Sequence, residues 1–576
     1  MARSALVPAH LRRFVVEQDY AEYSAVDQAV WRFVLLQMRA RLSETAHPAY
    51  REGLARTGIS VDRIPRIEEM NEALARFGWG AVCVDGFIPP RAFQEFQARG
   101  LLPIAADMRT REHLVYTPAP DIIHEAAGHA PILTEPAYAA YLRRIGDIGK
   151  RAFTVPEEER VFQASYALSE VKEDPRCSPE SVARVESELA RALAAVPEDS
   201  EAAWISRLYW WTAEYGLVGA VSDYRMYGAG LLSSLGESHS CHAPGVRKSP
   251  LDAECIHVGY DITRPQPGLF VARDFEHLHE VLERVSKQLA FELGGAVALE
   301  RAQRSGELAS FRFSSGAWAM GVLRELGPSA REPAWLRLGG PVGVAWDGKI
   351  HAAERALRPN EQWLVTGPLA DGKRLESLGD RDLSAHTDET GRLDFRFERG
   401  ARVTGRHRRT VRDDGGRLLH VELDAVWLEL PGRAPLALEA YALLPLGDFV
   451  SAHAGAVDPS FHAETSFPDV RVPKPRVVTG NGLTLSGLYE RVAAIPRVAG
   501  QPFLDELRAV HLELERAYPH EWLLRWNLLE RLAPLPDAAA LAHEISGELE
   551  ALEQHFERRE PIAMGLRFLV SGSVPA

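Results

Sequence analysis

The stretch "YTPAPDIIHEAAGHAPIL", residues 116–133, holds two histidines five positions apart and a glutamate directly after the first. Neutral imidazoles are good ligands for iron, zinc and copper. His124 and His129 are spaced one residue too widely for the H-E-x-x-H helix of zinc proteases. On an ideal α-helix their side chains would lie about 140° apart. The pair therefore predicts a metal site only with a local adjustment of the helix, which Gly128 could permit, and with a third ligand from elsewhere.

The best candidate for that third ligand is Glu214, in "ISRLYWWTAEYGLVGAV", residues 205–221. A carboxylate among so many aromatic side chains is costly to bury unless something pairs with it, and a metal ion would be sufficient. The alternative is that Glu214 points to solvent from an amphipathic helix. Two histidines and one carboxylate form the facial triad of non-haem Fe(II) oxygenases. Asp121, three residues before His124, could fix the tautomer of a ligating imidazole, or it could be a surface charge or a helix cap.

Composition limits the class of protein. The chain has 576 residues and a formal net charge of -14, which argues against a broad phosphate-binding surface, so we expect no nucleic-acid partner. No apolar run is long enough to span a bilayer, and the N-terminal "MARSALVPAHLRRF" lacks the apolar core of a signal peptide. The four cysteines form no C-x-x-C pair. We therefore expect a protein of the reducing cytoplasm, without a membrane partner or a disulfide framework.

Periodicity divides the chain near residues 300–340. Before that point, "SAVDQAVWRFVLLQMRARL" and "SPESVARVESELARALAAV" repeat apolar residues at helical intervals, the second after a Ser cap, and "GAVCVDGFI" is typical of a short strand. Residues 391–430 instead alternate apolar and polar side chains around the turn "RDDGG", which indicates a hairpin. Helices return further on, where one helical face would carry Phe503, Leu507, Val510 and Leu514.

These patterns predict a mainly α catalytic domain with short strands, residues 1–300. A linker follows at 301–334, and then a C-terminal α+β region at 335–576. Within that region we expect an antiparallel sheet at about 340–450 and helices at about 480–576.

Three segments together resemble one family. "YTPAPDIIHEAAGHAPIL", "YWWTAEYGL" and "MYGAGLLSSLGE" occur in the order and approximate spacing of the pterin-dependent aromatic amino acid hydroxylases, which include the phenylalanine, tyrosine and tryptophan hydroxylases. The resemblance covers about residues 10–290 and implies no role for the C-terminal half. It implies that His124, His129 and Glu214 hold Fe(II), and that a tetrahydropterin and O2 are co-substrates.

The resemblance also implies roles for single residues. Phe93, in "RAFQEF", would lie against the pterin. Glu125 would lie near the pterin, Tyr209 would lie close to the pterin and the iron, and both would be catalytic residues. Arg109 would bind the α-carboxylate of the amino acid, with Arg111 as the second choice, because a guanidinium suits a carboxylate. The remaining substrate-binding positions are Thr117, Pro120, Trp210, Gly230 and Ser233.

Substrate and reaction follow as expectations from the same resemblance. The protein is expected to be a monooxygenase that hydroxylates the ring of a free aromatic L-amino acid. Trp210 stands where phenylalanine and tyrosine hydroxylases also have tryptophan, and the apolar Ile262 lacks the acidic character expected of a tyrosine hydroxylase. Conversion of phenylalanine to tyrosine is therefore favoured. The alternatives are tryptophan 5-hydroxylation, phenylalanine 3-hydroxylation and, remotely, a zinc hydrolase with Glu125 as general base.

Overall fold

Helices dominate the first 300 residues. The computed structural model describes residues 7–86, 88–117, 121–173, 177–262, 265–350, 360–464, 481–495, 501–533, 535–555 and 559–570. The α-helices of this half are α1 (Ala25–Thr45), α2 (Pro48–Arg56), α3 (Ile67–Leu74), α4 (Pro90–Ala98), α5 (Pro136–Gly149), α6 (Pro156–Glu173), α7 (Pro179–Ala194), α8 (Glu201–Tyr209), α9 (Ala229–Ser233), α10 (Glu237–Ser240), α11 (Phe275–Ser286), α12 (Ala290–Leu293) and α13 (Gly295–Ser305). Turns of 3-10 helix lie at Ala9–Phe14, Tyr20–Glu22, Ala75–Phe77, Arg111–His113, Ala130–Thr134 and Ala253–His257. Ile123–His129 and Trp210–Glu214 are π-helices.

Short strands accompany these helices. They are β1 (Gly80–Val84), β2 (Leu101–Ala105), β3 (Leu217–Ala220), β4 (Asp223–Met226), β5 (Arg247–Pro250) and β6 (Gly268–Ala272). β1 and β2 pair in parallel, and the other four form a mixed sheet in the order β4-β3-β6-β5. β1 lies where the sequence predicts a strand, and Ser178 caps α7 by accepting a hydrogen bond from the backbone N–H of Ser181.

Two antiparallel sheets follow. Their strands are β7 (Leu308–Phe313), β8 (Ala317–Gly327), β9 (Trp335–Trp346), β10 (Glu361–Val365), β11 (Arg392–Arg396), β12 (Arg402–Arg412), β13 (Leu418–Glu429), β14 (Leu436–Leu443) and β15 (Phe449–Ala454). The orders are β10-β9-β8-β7-β15 and β11-β12-β13-β14. The predicted hairpin is β12–β13. Between strands, α14 spans Asp380–Ala385, and further 3-10 turns lie at Leu375–Ser377 and Pro459–Glu464.

Helices close the chain. They are α15 (Asn481–Ala494), α16 (Gln501–Ala517), α17 (Trp522–Leu532), α18 (Ala539–His555) and α19 (Arg559–Val570), with a 3-10 turn at Pro536–Ala538. The fold class predicted from the sequence, a mainly α domain with short strands followed by an α+β region, is thus confirmed. None of the helices described combines the length and the hydropathy that crossing a bilayer requires.

The C-terminal helices pack into the core of the N-terminal half. The ring of Phe33, in α1, lies edge-on to that of Trp526, in α17, with 4.7 Å between their centroids, and both side chains are buried. In the same interface, Arg32 Nε donates to Glu530 Oε2 at 2.7 Å. The two antiparallel sheets, in contrast, have hydrophobic cores of their own, one of them shared with α13. The sheet region is therefore an insertion between two parts of one helical core.

The sheet begins earlier than the sequence indicated. Residues 301–334, expected to be a linker, hold the end of α13 and the strands β7 and β8. β7 is buried along most of its length, on both faces, so its sequence "LASFRF" lacks the alternation that marks a half-exposed strand. The division of the chain into domains at 300 and 335 stays a prediction.

Replacing Trp526 by alanine should destabilise the protein strongly. The indole is 1% exposed, contacts Phe33, and donates from Nε1 to the carbonyl of Gly565 at 3.0 Å. The cavity should cost about 3–5 kcal/mol of unfolding free energy, measured by urea titration with far-ultraviolet circular dichroism. Trp427→Ala is the control, because that indole is 45% exposed and its removal should cost well under ~1 kcal/mol. Equal midpoints for the two variants would contradict a shared core.

Candidate active site

A widened helical turn carries the two histidines of the opening motif. Ile123–His129 is a π-helix, in which hydrogen bonds reach the fifth residue and side chains five positions apart come onto one face. The rings of His124 and His129 are 5.1 Å apart, which an ideal α-helix would not allow. Gly128 has a different role from the one expected: a Cβ there would lie 2.8 Å from the carbonyl oxygen of Ala229. Glycine is needed for the close approach of α9.

A second widened turn brings Glu214 to the histidines. Trp210–Glu214 continues α8 as a π-helix, and the N–H of Tyr215 donates to the carbonyl of Trp210 at 2.8 Å. The carboxylate of Glu214 lies between the two imidazoles. Its Oε1 is 3.1 Å from His129 Nε2, and its Oε2 is 3.1 Å from His124 Nε2. Glu214 therefore points inward, not to solvent.

The three side chains could hold one metal ion. Their ligand atoms all lie within 4.8 Å of one another. Each oxygen of the Glu214 carboxylate is 3.1 Å from one imidazole Nε2, so all three side chains would reach a single ion. The donor set of two imidazoles and one carboxylate is the one that non-haem Fe(II) takes.

A serine fixes the tautomer of His124. Ser233 Oγ donates to the carbonyl of Ala229 at 2.7 Å, so it accepts from His124 Nδ1, which lies 3.0 Å away. With the proton on Nδ1, the lone pair of Nε2 is directed at the metal position. Asp121 was expected to take this role as one possibility. It instead accepts from the backbone N–H of His124 at 3.0 Å, because its carboxylate is held by Arg109.

The electrostatics of the triad reflect one carboxylate shared by two imidazoles. Burial alone would raise the pKa of Glu214, but His129 and His124 outweigh burial and hold the pKa far below its usual range. Burial alone would lower the pKa of His124, but Glu214 overrides this and raises it to about 9. The pocket thus favours an anionic Glu214 beside positive charge, which a metal cation also provides.

Two aromatic rings, Phe93 and Tyr209, lie on the side of the triad where His129 is. The ring of Phe93 lies edge-on to Tyr209, with 5.7 Å between centroids, and Tyr209 is 6.4 Å from the ring of His129. Glu125 Oε2 is 3.9 Å from His129 Nε2. Burial raises the pKa of Glu125 to about 7, although both histidines oppose the shift. The structure brings Phe93, Glu125 and Tyr209 together beside the metal position.

Arg109 forms a buried fork beside the same turn. Its Nε and Nη2 donate to the two oxygens of Asp121 at 2.7 and 2.9 Å, and Nη1 donates to the carbonyl of Ser233 at 3.1 Å. The side chain is 1% exposed. Within the described residues, these contacts use three of the five guanidinium donors. Arg111 lies apart from this fork, paired with Glu112 and with Glu521 of the C-terminal helices.

Trp210 stands between two tyrosines. Its ring is stacked on Tyr260 at 4.2 Å and is tilted against Tyr215 at 4.6 Å, and its Nε1 donates to Gln266 Oε1 at 3.3 Å. Gly230 lies against Tyr215, where a Cβ would come within 2.8 Å of the ring. Among the other predicted substrate positions, Thr117 is partly buried and Pro120 lies outside the described residues.

Two residues of this site were not predicted from the sequence. Gln97, on α4, donates from Nε2 to the hydroxyl of Tyr209 at 2.6 Å. It lies four residues after Phe93, so their common helical face was a usable signal. Tyr260, which stacks on Trp210, gave no local signal, because only the tertiary fold brings its loop to Trp210.

One other group of side chains in the described part of the chain has ligand types within reach of each other: His511, Glu544 and Glu548. Here Arg525 Nε already donates to Glu548 Oε2 at 2.6 Å, and His511 Nε2 is 2.9 Å from Glu548 Oε1. The guanidinium supplies the cation, so this group is better explained as an ion-pair network.

Comparison with known proteins relates the first half of the chain to one family. The profile of the biopterin-dependent aromatic amino acid hydroxylases matches residues 13–160 and 178–294. A phenylalanine-4-hydroxylase of Mesorhizobium japonicum is 30% identical over 274 residues, which are 47% of this chain and 83% of that protein. The phenylalanine-4-hydroxylase of Chromobacterium violaceum is 31% identical over 253 residues, 44% of this chain and 67% of that protein.

Solved structures of the Chromobacterium violaceum phenylalanine hydroxylase are also similar. The one with bound iron(III) and oxidised 7,8-dihydrobiopterin is 26% identical, with a TM-score of 0.38, and covers 49% of this chain and 93% of that chain. The profile match ends at 294, before the two antiparallel sheets and the C-terminal helices. From the profile and the sequence identity to these relatives, the chain belongs to the biopterin-dependent aromatic amino acid hydroxylases.

Proposed function

We propose that the protein is a phenylalanine 4-monooxygenase that converts L-phenylalanine to L-tyrosine with Fe(II), a tetrahydropterin and O2. The convergence of His124, His129 and Glu214, in a chain of this family, is the observation that carries the proposal. When bound, Fe(II) and the tetrahydropterin supply the electrons that activate O2. The two imidazoles and the carboxylate would hold the iron on one side and leave its other positions to oxygen and water.

The residues around the triad would bind and orient the reactants. Phe93 and Tyr209 present flat rings for the pterin, and Gln97 holds the hydroxyl of Tyr209 in place. Glu125 is buried beside His129, where its carboxyl can hold or accept a proton next to the pterin. The rings of Phe93 and Tyr209 are already in place before the pterin binds. Less entropy is therefore lost when the reactants are oriented.

Arg109 is proposed to anchor the amino acid. Asp121 holds one side of its guanidinium, so the fork keeps a fixed direction, and the remaining N–H groups can donate to the α-carboxylate. Trp210, held between Tyr215 and Tyr260, would form the wall for the substrate ring, together with Thr117, Pro120, Gly230 and Ser233.

Phenylalanine is the preferred substrate on two grounds. The relatives described above are phenylalanine-4-hydroxylases, and the bulk of Trp210 leaves less room for an indole. Tryptophan 5-hydroxylation and phenylalanine 3-hydroxylation are the alternatives, whereas membership of the family counts against a zinc hydrolase. We also propose that the enzyme works in the cytoplasm, since its four cysteines are unpaired.

The product identifies the reaction. Purified protein with Fe(II), a tetrahydropterin and O2 should convert phenylalanine to L-tyrosine, identified by chromatography against 3- and 4-hydroxylated standards. Parallel reactions contain tyrosine or tryptophan, and a reaction without pterin is the control. If 5-hydroxytryptophan were the main product, the enzyme would be a tryptophan 5-hydroxylase. If 3-hydroxyphenylalanine were the main product, it would hydroxylate phenylalanine at position 3.

Removing a ligand should remove the metal. His129→Ala and Glu214→Ala should each lower bound iron to about one-tenth of the wild-type content or less, since a three-ligand site loses a large share of its affinity with one ligand. Iron is measured by mass spectrometry of the desalted proteins. Glu544→Gln, in the ion-pair network of the C-terminal helices, is the control and should keep the wild-type iron content. Normal iron in Glu214→Ala would exclude Glu214 as a ligand.

Substitution of Arg109 by lysine tests the amino-acid anchor. Lysine keeps the charge opposite Asp121 but cannot hold two oxygens and a third acceptor in one plane. KM for phenylalanine should rise roughly 10- to 100-fold through loss of a charge-assisted hydrogen bond, while iron content stays near wild type. An unchanged KM in a folded and iron-loaded variant would show that another residue binds the α-carboxylate.

A further inference from the structure

The C-terminal helices reach the segment that carries the amino-acid anchor. Residues 109–117 run from Arg109 to Thr117, and Arg111 lies in their 3-10 turn. The Nη1 of Arg111 donates to Oε2 of Glu521, the residue that caps α17. The other oxygen of Glu521 accepts from the hydroxyl of Tyr489, in α15, at 2.7 Å. One carboxylate thus joins the substrate segment to two C-terminal helices.

This contact is buried on the helical side. The Glu521 side chain is 5% exposed, and Tyr489 is buried. A buried carboxylate requires partners of this kind, and the loss of one is expensive. α17 itself is fixed in the core by Trp526. Glu521 therefore holds Arg111 from a rigid element.

The rest of the segment is tied to the N-terminal half. At one end, Arg109 is held by Asp121, and its backbone N–H donates to Asp121 Oδ2 at 3.1 Å. At the other end, the hydroxyl of Tyr116 donates to the carbonyl of Ile262. The contact between Arg111 and Glu521 restrains the turn between these ends. It comes from beyond residue 294, so it is a feature of this chain outside the part that the family profile covers.

We propose that Glu521 is a positioning residue for amino-acid binding: through Arg111 it holds segment 109–117 so that Arg109 and Thr117 stay in binding position. The inference rests on the proposed function of Arg109. It gives the C-terminal helices a part in substrate affinity, in addition to their part in the core. It also explains why Arg111, the neighbour of the anchor, is turned toward Glu521.

A matched pair of ion contacts separates positioning from stability. Glu530, on the same helix α17, pairs with Arg32 of α1 in the same interface and is 4% exposed. Glu521→Gln and Glu530→Gln should both lower the melting temperature. Only Glu521→Gln should raise KM for phenylalanine, by roughly three- to tenfold, with kcat and iron content near wild type.

The double variant tests whether Glu521 acts through Arg111. Arg111→Gln should raise KM to the same extent as Glu521→Gln, and the variant with both changes should be no worse than either. Multiplying effects would show independent roles and overturn the proposal. A raised KM in Arg111→Gln with an unchanged KM in Glu521→Gln would also overturn it, because Arg111 would then bind the substrate itself.

Hydrogen exchange gives a readout that needs no substrate. Peptides covering residues 109–117 should exchange faster in Glu521→Gln than in wild type, and at the wild-type rate in Glu530→Gln. If the wild-type protein hydroxylates no aromatic amino acid, the proposed function fails, while this exchange comparison still tests the restraint. Equal exchange in the two variants would overturn the restraint whatever the activity.

Discussion

Two helical turns that close on the fifth residue set the geometry of the metal position. A π-turn is rare in proteins, so we infer that each of these turns is held by the elements packed against it. In Ile123–His129 the fixed neighbour is α9, packed against Gly128. In Trp210–Glu214 the fixed neighbour is Tyr141, whose hydroxyl lies 2.7 Å from the hydroxyl of Thr212 in the turn. The hydroxyl of Thr212 also donates to the carbonyl of Leu208 at 2.6 Å. Without both turns the three ligand atoms would not meet.

Around this position, two polar residues each connect the amino-acid anchor with the metal motif. Asp121 accepts from the guanidinium of Arg109 and from the backbone N–H of His124. One carboxylate therefore connects the amino-acid anchor with the first residue of the metal motif. Ser233 makes a similar connection, because its hydroxyl accepts from His124 and its carbonyl accepts from Arg109. A shift of the anchor would be transmitted to the imidazole through two short paths.

The sequence contained the types of the ligands and the periodicity of most elements, and both can be read locally. Glu214 stood out because its aromatic neighbours made an exposed position unattractive, and the helix of Leu507, Val510 and Leu514 followed from apolar spacing. Contacts between distant segments could not be read in this way. Nothing near Ser233 signals an imidazole 109 residues away, and nothing near Arg111 signals Glu521. The buried strand β7 was missed for the same reason, since its partners lie on both faces.

The position of the last helices also has a consequence for how the protein folds during its synthesis on the ribosome. The apolar face of α1 is covered only after Trp526 and the rest of α17 have been synthesised. The two antiparallel sheets lie between α1 and α17 in the chain and are synthesised first. At about 5–20 residues per second, the half that carries the metal ligands waits on the order of tens of seconds for its last partners. During that time Phe33 has no Trp526 to cover it. A chain released early would leave that apolar face exposed to chaperones and proteases.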